Sequence, residues 1–399
     1  MLTPRGIAVL ATGVLLWAGS RVTGSADLHM VALGLLVLPA LSVAFIRWTR
    51  HRLRATRRLS HRRVFAGSPL RVDLEIRNES RSDASMILLE DRLPAGLGRA
   101  ARAVLGGLKG RSRQTVSYTV HCGRRGRFRI GPLVASVTDP FGLARRRVEF
   151  PDVHELIVYP EVEDLRDLGP ARSAGGTGET TARRLYRTGE EFYGMRRYEL
   201  GDDLRRIHWP STARIGDLMI RQDEAGRRAS ATVYLDTRRS AYPEGEAVLE
   251  RAVSAAASVG TLFLRSGVDV RLGTIDLPPR PLAADAYLEA LALVEPSIAQ
   301  RYGTALVPLR DRSSTGSTIL LVTGIPTEDD LAALLSATGG FGHKVAILLA
   351  ADLEDERLRA ARVAMAKAEW RTVILPPDRR LKDVWTLRTG RPIAAAARS

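Results

Sequence analysis

The hydrophobic pattern changes period twice along this chain. Residues 6–20 carry no charge and are mostly apolar, and residues 28–46, LHMVALGLLVLPALSVAFI, form a second uncharged run ending at Arg47. A spanning helix needs about 17–25 residues, so the second run qualifies and the first is short unless Arg5 and Arg21 snorkel. Taken singly, the first run also reads as a signal peptide and the second as a buried core helix. Together, across a short polar gap, they predict a transmembrane helical hairpin within residues 1–50. From residue 64 to 160 the pattern alternates with period two. VDLEIRN (72–78), MILLED (86–91), QTVSYTVHC (114–122) and LIVYP (156–160) read as short strands broken by turn residues, which predicts an all-β, antiparallel, Ig-like sandwich over residues 60–160.

Past residue 229 strands and helices alternate. Strands are predicted at 231–236, 268–275, 317–323, 344–350 and 372–375. Helices are predicted at 246–265, 283–294, 327–337, 353–369 and 379–389. That order predicts an α/β doubly wound, mainly parallel sheet. Residues 161–188, rich in Gly, Thr, Ser and Arg, read as an exposed linker. Its Gly175-Gly-Thr-Gly178 lacks the Gly-Lys-Ser/Thr ending of a phosphate loop, and no strand feeds it.

Charge alters this picture only in part. The net charge is +16, and of 60 basic residues only four are lysines (109, 344, 367 and 382). So strong an arginine bias in an Ala- and Gly-rich chain reflects codon composition more plainly than nucleic-acid binding, which is not expected. Nine basic residues and no acid lie between Arg99 and Arg129, and read as a solvated strand face. Residues 47–63 hold eight arginines, two histidines and no acid, marking the cytoplasmic side of the membrane and a surface that could rest on anionic lipid. Both termini are then expected to be cytoplasmic in a two-helix plasma-membrane protein. The single cysteine, Cys122, excludes an internal disulfide and any multi-cysteine metal site. The seven histidines are scattered without ligand or triad spacing. No cofactor is expected.

The least generic stretch is residues 189–221, GEEFYGMRRYELGDDLRRIHWPSTARIGDLMIR. Eight arginines and eight acidic residues lie between Gly189 and Arg228. That balance points to internal ion pairs rather than to a phosphate-binding patch. Gly201-Asp202-Asp203 reads as a capped helix start, and Pro210 as its limit. Ile207 and Trp209 are expected in a core, with Asp202, Arg205 and Arg214 in a buried network. Arg197, Asp203 and Arg206 are left as exposed charges for docking. His208 stands without a nucleophile beside it, so no catalytic residue is assigned.

Gly189, Glu191, Phe192, Arg196, Tyr198, Gly201, Asp202, Arg205, Trp209 and Arg214 make this stretch resemble the signature of the domain of unknown function 58 family. The stretches RRGRFRIGP (124–132), DPFGL (139–143) and VYP (158–160) are similar to that family's N-terminal region. The signature segment is taken as 189–228 and the α/β domain as 229–399. The resemblance implies a von Willebrand factor A-like domain, whose metal-binding members carry Asp-x-Ser-x-Ser after the first strand. The matching run here is Asp236-Thr-Arg238-Arg-Ser240, with a cation where a cation would bind, and Thr323-Gly324 where a later aspartate is usual. Asp236 and Ser240 are thus remnants of a degenerate site, and no metal is expected. The resemblance further implies a non-enzymatic, membrane-anchored adaptor or scaffold for a MoxR-type AAA+ ATPase, acting in assembly or maturation of envelope proteins. The competing readings are a basic module for membrane surfaces or nucleic acid, and a membrane-associated hydrolase.

Overall fold

The computed structural model describes residues 1–48, 52–84, 86–165, 194–199, 207–222, 230–299, 302–310 and 317–385. The chain divides into two compact units, Met1–Tyr159 and Pro160–Ser399.

The first unit opens with two helices, α1 (Pro4–Thr23) and α2 (Ala26–Trp48), both long and apolar enough to cross a membrane. Thr3 starts α1: its hydroxyl accepts from the Gly6 amide at 3.1 Å and donates to the Gly142 carbonyl at 2.6 Å. Gly24, at φ +69°, ends it in the left-handed conformation that glycine adopts without strain. Gly13 lets the helices approach closely, since a Cβ there would lie 3.1–3.2 Å from Leu35 and Leu36.

Ten strands follow in three sheets. β1 (Leu53–Leu59), β3 (Pro69–Asn78) and β6 (Arg113–His121) form one, in the order β1-β3-β6. β2 (Arg63–Phe65), β10 (His154–Tyr159) and β7 (Gly126–Ile130) form the second. The third runs β5 (Ala101–Leu105), β4 (Met86–Asp91), β8 (Leu133–Thr138), β9 (Arg145–Phe150). Alternation drives the packing: in β3, Leu70, Val72, Leu74 and Ile76 all turn inward. They meet Ile87, Leu89, Val120, Ile130, Ala135, Leu156 and Val158 in one core fed by all three sheets. Two expectations need correction. The β-rich region begins at Leu53 rather than residue 60, and it is not wholly antiparallel, because β10 pairs parallel to β2.

Residues 53–59, LRATRRL, had read as part of a juxtamembrane basic run. They form β1 because one arginine finds a buried acid. Arg57 donates from Nε to Asp91 Oδ2 at 2.9 Å, and its Nη1 donates to the Ile130 and Asp152 carbonyls at 3.1 and 2.9 Å. Tyr118 donates to the same carboxylate at 2.6 Å. Burial, then that bond, pushes the Tyr118 phenol well above its ordinary range.

The second unit carries a six-stranded sheet of β13 (Ser230–Leu235), β14 (Asp269–Thr274), β15 (Arg280–Pro281), β16 (Ser317–Thr323), β17 (His343–Leu349) and β18 (Trp370–Leu375). The order is β15-β14-β13-β16-β17-β18, parallel except for the short edge strand β15. The helices are α4 (Glu246–Arg265), α5 (Ala284–Ala292), α6 (Tyr302–Arg310), α7 (Glu328–Ala337), α8 (Glu356–Lys367) and α9 (Leu381–Val384), numbered after the short α3 (Trp209–Ile215) of the signature segment. All seven residues of β16 are buried, as expected for a strand covered on both faces. Ile319, Leu321, Ala346 and Leu348 pack with Leu306, Leu334 and Leu358 of α6, α7 and α8. α4 packs against β13, β14 and β16, burying Leu249, Val253, Ala256, Val259 and Phe263.

Residues 161–165, expected to open a linker, lie on this unit instead. The Glu163 amide donates to Ser258 Oγ at 2.9 Å, and its carboxylate accepts from the Leu381 and Lys382 amides at the start of α9, both at 3.0 Å.

Candidate functional site

The order of the parallel sheet reverses between β13 and β16, and an open α/β sheet binds ligands at the carboxyl ends of its strands beside such a reversal. Asp236 follows β13 at that place, its side chain fully buried. It does not await a ligand. Arg238 folds back onto it, with Nε donating to Oδ1 at 3.1 Å and Nη2 to Oδ2 at 2.9 Å. The Arg238 amide and the Thr323 hydroxyl add bonds of 3.0 Å each to the same carboxylate.

The other side of the guanidinium meets Asp330 in the first turn of α7. Nη1 and Nη2 donate to its two carboxylate oxygens, each at 3.0 Å. The Tyr302 ring covers the group, its centroid 4.1 Å from Arg238 Cζ. Burial works to lower the Arg238 pKa, but the hydrogen bonds it donates to Asp236 and Asp330 outweigh it and hold the guanidinium charged. Burial, followed by the Asp236 charge, pushes the Tyr302 phenol well above its ordinary range. Tyr242 fixes the loop by donating to the Asp236 carbonyl at 2.6 Å. Gly324 is required for the fit, because a Cβ there would sit 1.8 Å from the Ala241 carbonyl oxygen.

These residues do not fit a divalent ion. The guanidinium stands between the two carboxylates that would share it, the Thr323 hydroxyl is bonded to Asp236, and Ser240 is exposed and outside the network. Among the described residues no group of three His, Cys, Asp or Glu side chains is placed to hold a metal. Thr323 had been expected only to remove a ligand, whereas it is a working member of the cluster.

Asp330, Tyr302 and Tyr242 were missed from sequence. Asp330 sits three residues after Thr327, whose hydroxyl accepts its amide at 3.2 Å, and so looks like an ordinary helix cap. Tyr302 begins α6, a helix that the apolar pattern did not announce. The one available signal was Arg238 itself, an arginine two residues after the aspartate that follows a buried strand, and in need of a second acid.

The signature segment departs further from expectation. Within it β11 (Gly194–Arg197) pairs antiparallel with β12 (Met219–Gln222), and α3 lies between them. Pro210 stands in the first turn of α3 and so starts a helix, where it had been expected to end one. Trp209 is 66% exposed rather than in a core, with Ile215 at 55% and Leu218 at 41% on the same short segment. Arg214 is exposed, so it is not part of a buried network. Tyr198 is half-buried, and its amide donates to the Leu218 carbonyl at 2.8 Å. Arg197 pairs with Asp217 at 3.0 Å in solvent, a contact worth little. Arg196 lies in β11. Gly189, Glu191, Phe192, Gly201, Asp202, Asp203, Arg205 and Arg206 lie outside the described residues. His208 does not stand alone: its Nδ1 lies 2.9 Å from Ser211 Oγ and accepts the Ser211 amide, capping α3.

Residues 194–374, from β11 into β18, match the family model described as "Protein of unknown function DUF58". This stretch is a DUF58 domain. It takes in the exposed α3 and the whole Asp236–Arg238–Asp330 cluster. Among solved structures, the chain is similar to the CARDB domain of the PF1109 protein from Pyrococcus furiosus, at 10% identity over 27% of this chain and 93% of that one, with a TM-score of 0.21. It is also similar to a beta-glucosidase from Listeria innocua (15% identity, 27% of this chain, 16% of that one, TM-score 0.19). A third likeness is to the complex of Zinc 2-glycoprotein and Prolactin inducible protein from human seminal plasma (13% identity, 28% and 97% covered, TM-score 0.21). Likenesses at these TM-scores carry no argument about fold or function. No curated protein matches the chain.

Proposed function

We propose that this DUF58 protein is a membrane-anchored, non-enzymatic adaptor whose signature segment docks a protein partner. The observation that carries the reading is the exposure of Trp209, Ile215 and Leu218 together, in the stretch densest in family-like residues. Large apolar side chains grouped in solvent mark interaction sites, and tryptophan is the commonest kind of anchor. The strand order and the Asp236-x-Arg238-x-Ser240 run suit a von Willebrand factor A-like domain whose ligand position has been closed by an internal cation. On that reading the sheet edge is a rigid support and the recognition moves to α3. The resemblance of the signature points to a MoxR-type AAA+ ATPase as the partner, and the two N-terminal helices supply the anchor in the plasma membrane, with the docking unit on the cytoplasmic side.

The test uses the full chain in lipid nanodiscs and a purified MoxR-type ATPase. Wild type should bind it, and Trp209→Ala should abolish binding while melting at the wild-type temperature. A loss of melting temperature in Trp209→Ala, or wild-type binding by that variant, overturns α3 as the docking element. The Ser211–His208 contact gives the hydrolase reading its one foothold. Covalent labelling of Ser211 by a fluorophosphonate probe, abolished by His208→Ala, would replace the adaptor with an enzyme.

A further inference from the structure

The turn at residues 139–143, between β8 and β9, is absorbed by none of the roles described so far. It is tied directly to the start of α1. The Thr3 amide donates to the Leu143 carbonyl at 2.8 Å, the Arg145 amide donates to the Met1 carbonyl at 2.8 Å, and Leu2 bridges Ala144. Gly6 permits the contact, since a Cβ there would fall 2.2 Å from the Leu143 oxygen. Whatever depth α1 starts from, this turn shares it.

The turn is also rigid. Asp139 is buried, and its carboxylate accepts from the Phe141 amide at 3.0 Å and the Ala144 amide at 2.6 Å. Gly142 sits at φ +70° and donates its amide to the Asp139 carbonyl at 3.0 Å. Leu143 and Ala144 turn inward, while Phe141 is held outward, 64% exposed. Its surroundings are cationic. Arg5 on the first turn of α1 and Arg146 and Arg147 on β9 are exposed, and Arg47 and Trp48 end α2, which touches β9. Glu149 is the exposed acid on β9, further from the turn.

We propose that this turn is a third membrane contact, with Phe141 dipping into the headgroup–acyl boundary and Arg5, Arg146 and Arg147 on acidic phospholipid headgroups. The proposal rests on the reading of α1 and α2 as membrane-spanning. The uncharged part of α1, residues 6–20, extends only about 22 Å at 1.5 Å per residue, against a hydrocarbon core of about 30 Å. A short span thins the bilayer locally and draws the elements at its ends toward the lipid. An aromatic side chain with cations beside it is the composition favoured at that depth.

The experiment places single cysteines at positions 15, 141 and 153 of the full chain carrying Cys122→Ala. Each is labelled with an environment-sensitive fluorophore, and the chain is placed in nanodiscs of phosphatidylcholine with phosphatidylglycerol. Lipids carry nitroxide quenchers either near the headgroup or deep in the acyl chain. Leu15, mid-α1 and exposed, should be quenched by the deep probe. Position 141 should be blue-shifted and quenched by the shallow probe. Val153, exposed beyond the far end of β9, should be quenched by neither. Position 141 behaving like 153 while 15 is quenched overturns the turn proposal alone. No quenching at 15 overturns the spanning reading on which it rests. Exchanging all phosphatidylglycerol for phosphatidylcholine should weaken quenching at 141 and leave 15 unchanged, and equal quenching at 141 in both lipids overturns the role given to the arginines.

Discussion

Arg238 is 5% exposed and lies between two carboxylates, one fully buried and the other 14% exposed. Its charge is therefore compensated from both sides, and removing it leaves the buried Asp236 carboxyl with only neutral donors for company. Breaking a buried pair in this way costs about 3–5 kcal/mol, a large share of the roughly 5–15 kcal/mol that holds a domain folded. Arg238→Ala should melt well below wild type in thermal denaturation of the detergent-solubilised chain, and unchanged melting would show the cluster to be ornamental. Arg238→Ser asks a sharper question, because it rebuilds Asp-x-Ser-x-Ser beside Asp330 and Thr323. Oxygen ligands of this kind suit a hard cation, and a bound ion raises stability in proportion to its occupancy. Millimolar magnesium should raise the melting temperature of Arg238→Ser and leave wild type unmoved. A rise in wild type would mean that the guanidinium yields to the ion.

At the scale of elements, the sequence was legible wherever burial follows a short period. The strands at 86–91 and 317–323 and the helix at 246–265 fall where the pattern put them, because each buries a regular apolar face against a sheet. It was illegible where a long-range polar partner decides the outcome. LRATRRL looks like a cationic run until Arg57 meets Asp91, 34 residues away, and only folding brings them together. α6 was hidden for a different reason: Pro308 inside it argues against a helix, and burial of Tyr302, Leu306 and Leu309 overrides that preference. The signature segment misled most, since its mixed charges read as an interior network while Trp209 and Arg214 face solvent. The Arg57 account makes its own prediction. Arg57→Ala should lose about 3–5 kcal/mol in equilibrium urea unfolding, whereas Arg54→Ala, whose partner Glu79 sits on an exposed pair, should lose no more than about 1 kcal/mol.

At the scale of the whole molecule, the first unit bears on the proposed topology. Both ends of the helical hairpin attach to the same β-rich region: α1 through residues 1–3 at the turn before β9, and α2 through its contact with β9. On the proposed reading of α1 and α2 as spanning helices, two crossings that begin and end on one body would place that body on one side, the inner one by the arginines after Ile46. A reporter fused after Ser399 should be active only in its cytoplasmic form, and a cysteine at Ser25, between the helices, should react with an impermeant reagent added from outside. An externally accessible C-terminus would reverse the orientation and remove the proposed ATPase from reach.

The bonds between residues 1–3 and residues 142–145 also fix an order of events during synthesis. They close a loop of 139 to 144 residues, so they cannot form until that much chain has followed. At a ribosome speed of about 5–20 residues per second, the first helix waits roughly 7–30 seconds for its partner. If the hairpin spans the bilayer as proposed, it enters with residues 1–3 unsecured. That end becomes fastened only once the turn between β8 and β9 has formed, so the clasp records the pairing of those two strands rather than the arrival of the helices.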